Sequence, residues 1–248
     1  MRKLILVIIL ILSILTGGFS VMAEEIKVTI NGEEISEDEI SADHSVVFSD
    51  WGQFRFNSGL LLGMIQLDMA GLNDIMEEAG FAPFEQNLLM FGGGGLFGVR
   101  KGARLGGMGL AGKFSTTGPA PKKATFELNY GGLIYEQGIF AAGGTDIAVG
   151  ALFGGGTAGL RVVHGSIDDL KDGINNPIIT PFRKDFVLIQ PRLIIYQQIS
   201  PLVGLSLELG YLLSYDFGET WKIDQQIVEG PLENLIAPVV NLGFSIGF

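Results

Sequence analysis

The 248-residue sequence has no cysteine, only two histidines, and only 16 basic residues against 27 acidic ones. The absence of cysteine excludes disulfides, thiolate metal sites and cysteine nucleophiles. The net charge of -11 argues against nucleic acid as a partner, because binding phosphates requires clustered Lys and Arg. Charged residues make up 17% of the chain and hydrophobic residues 47%, so the sequence is not that of a disordered protein.

Glycine is in excess, with 37 residues that follow no fixed period, alongside 17 phenylalanines. The lack of a period excludes a collagen repeat. Each glycine in a helix interior costs about 1 kcal/mol relative to alanine, so a helical protein is a poor fit. The combination of glycine with Phe, Val, Ile and Leu favours a β protein with tight bends.

The first 23 residues have the features of a secretory signal peptide. Arg2 and Lys3 precede an apolar run over residues 4–12, and a small-residue site ends at Ala23. We therefore expect cleavage after Ala23 and export, the alternative being an uncleaved membrane anchor. Later in the chain there is no run of 18 consecutive apolar residues, so no transmembrane helix is expected.

Residues 24–50 form an acidic N-terminal arm, with nine acids and one base. Alternation over residues 26–30, followed by an Asn-Gly turn signal at 31–32, allows a small hairpin within an otherwise solvated arm. The consecutive acids at 37–39 do not have the spacing of a defined Ca²⁺ loop. We expect no metal and no cofactor.

The rest of the chain alternates with period two, which is the pattern of β-strands with one apolar face. The clearest strand, over residues 202–215, has Leu205, Leu207 and Leu209 on one face and Ser206 and Glu208 on the other. Eight such segments cover residues 53–68, 88–100, 103–114, 124–138, 146–163, 186–198, 202–215 and 238–248.

The last segment has apolar side chains at every second position up to the final residue, namely Val240, Leu242, Phe244, Ile246 and Phe248. This pattern resembles the closing strand of bacterial outer-membrane β-barrel proteins. The resemblance implies a location in the cell outer membrane, contact with outer-membrane lipid, and recognition of this strand by the barrel-assembly machinery. A soluble sheet that ends in the same pattern by chance is the alternative.

The connections between the eight segments alternate long and short, with 19, 2, 9, 7, 22, 3 and 22 residues. Membrane barrels have an even strand number, short periplasmic turns and longer external loops. The sequence therefore predicts an all-β protein: an eight-stranded antiparallel up-and-down transmembrane β-barrel over residues 51–248, with large outer loops at 69–87, 164–185 and 216–237. Residues 69–83 look helical and would lie in a loop or plug the barrel.

Two glycine-rich segments complicate this prediction. Gly154, Gly155 and Gly156 could form a hairpin turn that splits one strand into two. Residues 107–112 match the glycine pattern of dinucleotide-binding loops, but no helix follows, so close packing of a curved wall is the better interpretation.

Two sets of polar residues are candidates for a functional site. His164 and Ser166 are similar to the His-x-Ser motif of outer-membrane lipid A deacylases, which would make His164 the base and Ser166 the nucleophile. Ile167 replaces the Asn of that family, and no Glu follows at the family's distance. The second set, the charged residues Arg55, Glu127, Arg192 and Glu208, is expected to brace the lumen as a polar network.

The most favoured function is that of an outer-membrane barrel with a structural, adhesive or small-solute passage role. The alternatives are a soluble exported barrel that binds an apolar ligand inside, and the lipid deacylase. Face polarity separates the first two, because a soluble barrel turns its apolar face inward and a membrane barrel turns it outward.

Overall fold

The computed structural model describes residues 29–30, 33–34, 54–119, 122–163, 165, 179–216, 221–223, 226–232 and 234–247. The chain divides into two compact units, Met1–Phe54 and Arg55–Phe248. In the first unit, Thr29–Ile30 pairs antiparallel with Glu33–Glu34, at the place where the sequence allows a hairpin. The expected signal peptide and the rest of the acidic arm lie outside the described residues.

The second unit is a closed antiparallel β-barrel, as the sequence predicts. Each strand pairs with the next, and β8 pairs with β1 to close the sheet. The barrel strands are β1 (Phe54–Gln66), β2 (Asn87–Val99), β3 (Ala103–Thr117), β4 (Lys123–Ala142), β5 (Thr145–Val163), β6 (Ile179–Ser200), β7 (Val203–Tyr215) and β8 (Ile236–Gly247).

The two ends of the barrel differ in their connections. Three short links, at 100–102, 143–144 and 201–202, define what we call the turn end, where β1 begins and β8 finishes. The connections at 67–86, 118–122, 164–178 and 216–235 define the loop end. Gly143 and Gly144 have φ values of +57° and +82°, so the two-residue turn between β4 and β5 requires glycine at both positions.

Gly154, Gly155 and Gly156 lie inside β5 and do not form a turn. They pair with Gly132, Gly131 and Tyr130 of β4 in continuous register. A side chain on Gly154 would collide with the carbonyl of Gly131, so the close approach of the two strands requires glycine here. The strand count is therefore eight.

One helix, α1 (Ala70–Glu78), lies in the connection between β1 and β2. Its residues Leu72 and Met76 are buried. Asn73 exchanges two hydrogen bonds with the backbone of Phe84, of 2.7 and 3.0 Å, which fold residues 67–86 into a compact unit that we call the cap. Within the described ranges, no helix is long and apolar enough to cross a membrane.

The cap packs against the interior of the barrel at its loop end. The Phe84 ring lies 5.2 Å from that of Phe114 on β3 and 6.4 Å from that of Phe126 on β4. Thr116 of β3 donates a 2.8 Å hydrogen bond to the carbonyl of Ala82. The helix thus lies in the loop between β1 and β2, which is one of the two placements expected for it, and the residues that follow the helix contact the barrel interior.

Strand β6 begins at Ile179, seven residues before the predicted start, so the loop expected at 164–185 is shorter. The added residues alternate in the usual way, with Phe182 and Lys184 inward and Arg183 and Asp185 outward. The prediction missed them because their outward face is charged and carries no apolar repeat. The last connection contains two short paired strands, Trp221–Ile223 and Gln226–Val228.

Candidate functional site

A cluster of arginines surrounds one carboxylate inside the turn end of the barrel. Asp146, the second residue of β5, is 0% exposed. Arg55 of β1 places Nη1 2.7 Å from Asp146 Oδ2, and Arg100, in the turn after β2, places Nη2 2.6 Å from Oδ1. Arg104 of β3 adds a third contact of 3.3 Å. We call these four residues the Asp146 cluster.

Arg100 is the most exposed member of the Asp146 cluster and lies in a turn. Its hydrogen bond to Asp146 raises its pKa above the ordinary value. Because Asp146 follows the Gly143–Gly144 turn at once, the cluster ties the β2–β3 turn to the β4–β5 turn. Its geometry is that of a brace between neighbouring turns.

A second charged layer lies next to the first, further into the barrel. Arg192 of β6 is bonded to Glu208 of β7 at 2.9 Å and lies 3.4 Å from Glu136 of β4. Tyr196 donates its hydroxyl to Glu136 at 3.2 Å, and Asn241 of β8 donates to Glu208 at 3.0 Å. Four strands are therefore linked through buried side chains.

The ring of Tyr196 connects the two layers. The Arg55 guanidinium carbon lies 4.3 Å from the centre of this ring, and that of Arg104 lies 5.5 Å from it. Such contacts between guanidinium groups and aromatic rings are attractive, more so away from water. The result is one continuous polar network that fills the turn-end half of the lumen.

All three carboxylates of this network, those of Asp146, Glu136 and Glu208, are bonded to arginine. Among the described residues, no group of three or more acidic or histidine side chains could hold a metal ion. Each of these buried carboxylates is held by at least one guanidinium group, which is the geometry of a structural ion pair. The cavity beside Arg192, Glu136 and Glu208 measures about 40 Å³, enough for a few water molecules.

Three of the four residues expected in the lumen lie inside the barrel. Arg192 and Glu208 contact each other inside the barrel, and Arg55 belongs to the Asp146 cluster. Glu127 is not part of the network: it is exposed on the outward face of β4, because the neighbouring Phe126 and Leu128 point inward. The prediction that Glu127 lies in the lumen was wrong, because at the loop end the polar face of β4 is the outward one.

Sequence reasoning missed several members of the network, notably Asp146, Arg104 and Glu136. A signal for Glu136 was available, since it has the same parity along β4 as the inward residues Phe126 and Leu128. No comparable signal exists for the Asp146 cluster, because only the closed barrel brings β1, β3 and β5 residues to one point.

The loop-end half of the lumen is apolar. Phe126, Leu128 and Leu212 are fully buried there, under the cap. Among the described residues, the one ion pair inside this half of the lumen joins Lys184 of β6 to Asp216 at 2.6 Å.

The outward face of the barrel carries the exposed apolar residues. A rung of four paired residues, Leu62, Leu242, Leu207 and Ile195, crosses β1, β8, β7 and β6 with exposures of 37–56%. Leu205 and Leu209 lie on the same face, whereas Ser206 and Glu208 between them are only 7% and 4% exposed. The leucine face of β7 thus points away from the lumen.

The C-terminal residues follow the same arrangement. Leu242, Phe244 and Ile246 are exposed on the outward face of β8, and Val240 on the same face is half-buried. Phe248 lies outside the described residues, as do His164 and Ser166. The deacylase hypothesis stays a prediction, and a Ser166→Ala variant with unchanged lipid acylation would remove it.

No protein-family model and no curated protein sequence matches the chain. Among solved structures, the chain is similar to Ail, the attachment invasion locus protein of Yersinia pestis, in complex with the heparin analogue sucrose octasulfate. The sequence identity is 10% and the TM-score is 0.42. The match covers 79% of this chain and 98% of Ail. A second structure of Ail has a sequence identity of 9% and a TM-score of 0.39, with the same coverage of both chains.

The outer membrane protease OmpT from Escherichia coli is 8% identical with a TM-score of 0.31, covering 79% of this chain and 95% of OmpT. Similarities this low carry no argument about binding or catalysis. Any functional conclusion must come from the residues of this chain.

Proposed function

We propose that this protein is an integral outer-membrane β-barrel with a closed lumen and a structural or adhesive role. The observation that carries the proposal is the polarity of the two faces: the outward face of β1, β7, β8 and the turn-end half of β6 is largely apolar and exposed, while the charged residues of these strands other than Arg183 and Asp185 lie inside. In water this arrangement would expose a continuous apolar surface far larger than soluble monomers tolerate. In a bilayer it is the favourable one.

Closure of the sheet supports the same proposal. Hydrocarbon offers no partner for backbone N–H and C=O groups, so a sheet that spans a membrane must pair every strand edge. Here β8 pairs with β1 over nine residue positions and leaves no open edge between them. The strands are 12 to 22 residues long, against the roughly 9–11 residues needed to span a bilayer.

The packed lumen favours a structural or adhesive role over solute passage. An eight-stranded barrel has an interior just wide enough for its own side chains. Here the charged network fills the turn end, and the apolar side chains with the cap fill the loop end. With no path through the centre, the surfaces left for function are the loop end and the membrane-facing wall.

The alternative of a soluble barrel with an apolar ligand inside is not supported by these faces. It would need Leu205, Leu207 and Leu209 to line a cavity, whereas all three are exposed on the outside. The apolar region of the lumen is occupied by the barrel's own side chains.

Cell fractionation combined with gel mobility tests the proposal. We expect the protein in the outer-membrane fraction, with a faster-migrating band in unboiled samples because the closed barrel resists detergent. Recovery in the soluble fraction without a heat-dependent shift would overturn the proposal. The signal peptide prediction is checked on the same sample, since the mature N-terminus should be Glu24.

A further inference from the structure

Charged residues on the outward face of the described barrel strands are confined to one patch on β3–β6. All of them are exposed, and the four basic residues outnumber the two acidic ones. The outward faces of β1, β2, β7 and β8 carry none. We call this set the charged patch: Lys113, Lys123, Glu127, Arg161, Arg183 and Asp185.

Strand register places the charged patch directly beyond the apolar surface. A rung of paired outward residues runs Lys113, Glu127, Gly159 and Arg183 across β3 to β6. Arg161 and Lys123 lie on the next rungs toward the loop end. On the turn-end side the wall becomes apolar, with Leu133 and Phe153 exposed. These charges therefore project sideways from the wall, at the border of its apolar surface.

Three of the basic residues are available for a ligand. Arg183 is paired with Asp185 at 2.9 Å. In the described part of the chain, Lys113, Lys123 and Arg161 make no ion pair. Their positive charges, on three adjacent strands, are thus left for an anionic partner.

An open groove adjoins the charged patch on the same face. Its floor includes the paired glycines Gly109, Gly131 and Gly155, which cross β3 to β5 without side chains. The groove has a volume of about 480 Å³, and Phe91 lines it together with Asn129 and Thr157. Its floor is apolar, and its polar edge faces the charged patch.

We propose that this face binds a membrane lipid whose phosphate headgroup carries a net negative charge. Lys113, Lys123 and Arg161 contact the phosphate, and an acyl chain lies in the groove. The proposal rests on the proposed function, because only a membrane-inserted barrel presents a sideways-facing patch at headgroup level. That placement favours a lipid over a soluble polyanion, which would meet loop tips before the side of the wall. Basic residues near a membrane surface each strengthen anionic lipid binding severalfold.

Native mass spectrometry of the full barrel, released from neutral detergent, tests the headgroup. Phosphatidylglycerol and phosphatidylcholine with the same acyl chains are added in equal amounts. We expect the wild-type protein to retain phosphatidylglycerol preferentially. The Lys113→Gln/Lys123→Gln/Arg161→Gln variant should lose about fivefold in retention for each charge, about a hundredfold in all. Lys101→Gln removes an exposed lysine in the turn between β2 and β3, at the opposite end of the barrel from the patch, and should change nothing.

The groove is tested by Gly109→Leu. A Cβ at Gly109 meets no atom closer than 3.8 Å, so the side chain fills the groove without disturbing the strands. We expect weaker retention of both lipids, while Ser58→Leu, on the exposed outward face of β1, should have no effect. Inorganic phosphate alone should not displace the lipid.

Three results would overturn the proposal: equal retention of the two lipids by the wild type, a triple variant that keeps the preference, or full displacement by inorganic phosphate. Insertion into phosphatidylcholine vesicles, followed by the heat-dependent gel shift, separates this failure from a failure of the proposed function. A barrel that inserts normally but shows no headgroup preference contradicts only the lipid site. A barrel that does not insert contradicts both.

Discussion

Replacing Asp146 with asparagine is the sharpest test of the charged network. The change keeps the shape of the side chain but removes the one carboxylate that contacts Arg55, Arg100 and Arg104. Because Asp146 is 0% exposed, water cannot take over its role. The arginines are then left close together, with an amide in place of their shared counter-charge.

The expected loss of folding free energy is about 3–5 kcal/mol, the usual range when one partner of a buried ion pair is removed. The chain offers a matched control in the Arg183–Asp185 pair, which is similar in length at 2.9 Å but exposed by 67% and 52%. Exposed pairs contribute about 0–1 kcal/mol, so Asp185→Asn should have little effect. The two variants should therefore differ by at least about 2 kcal/mol, because Asp146 is buried and pairs with three arginines whereas Asp185 is exposed and pairs with one.

Urea unfolding of the barrel in vesicles, followed by the heat-dependent gel shift and by circular dichroism, measures both variants. A second substitution, Arg104→Met, removes the buried cation left beside Asn at position 146 and should recover part of the lost stability. Equal small losses for Asp146→Asn and Asp185→Asn would refute the reasoning. So would a double variant less stable than Asp146→Asn alone.

Three further predictions concern the cap, the membrane-facing wall and the lumen. Phe84→Ala should destabilise the barrel by about 3–5 kcal/mol in the same unfolding assay, because this buried ring packs on two other aromatic rings. An unchanged urea midpoint would contradict the packing of the cap against the barrel interior. Leu209→Arg should reduce the free energy of insertion into vesicles by about 2–4 kcal/mol. Thr125→Arg, beside the charged patch, should leave it nearly unchanged, and equal effects of the two variants would contradict the placement of the bilayer. In planar bilayers the protein should give no stepwise conductance, and regular current steps would contradict the closed lumen.

The strands were predictable from the sequence because a period of two reports directly on the two faces of a strand. The assignment of Leu205 and Leu209 to one face and Glu208 to the other depends only on parity. Strand ends were harder to predict. Ile179 begins β6 although its first residues lack an apolar repeat on the outward face, and only their pairing with β5 identifies them as strand.

The polar network was predictable only in part, for a topological reason. Arg192 and Glu208 lie on neighbouring strands, so a local pattern suggests their contact. Asp146, Arg55 and Arg104 lie on strands that are not neighbours, and their meeting depends on the curvature of the closed sheet and its narrow interior. The spacing of residues along the sequence does not predict which side chains meet across a lumen.

The error at Glu127 has a more general cause, which β4 shows most clearly. In its loop-end half Phe126 and Leu128 are buried and Glu127 is exposed, as in a soluble barrel. In its turn-end half Glu136 is buried and Leu133 and Ile139 are exposed, as in a membrane barrel. The inward face of β4 is therefore apolar at the loop end and charged at the turn end, and its outward face shows the reverse.

Strand β6 changes in the same way, from Phe186 inside and Asp185 outside to Arg192 inside and Leu193 outside. On the proposed function, two adjacent solvents explain this inversion, with water around the loop-end half and hydrocarbon around the turn-end half. Burial of apolar side chains stabilises the loop-end half as in any soluble protein. In the turn-end half lipid removes that driving force from the outer face, and the buried ion pairs and hydrogen bonds hold the strands together instead. If the proposed function holds, the level of the inversion, near Gly131 on β4, is the membrane boundary on the protein, and the charged patch lies just outside it.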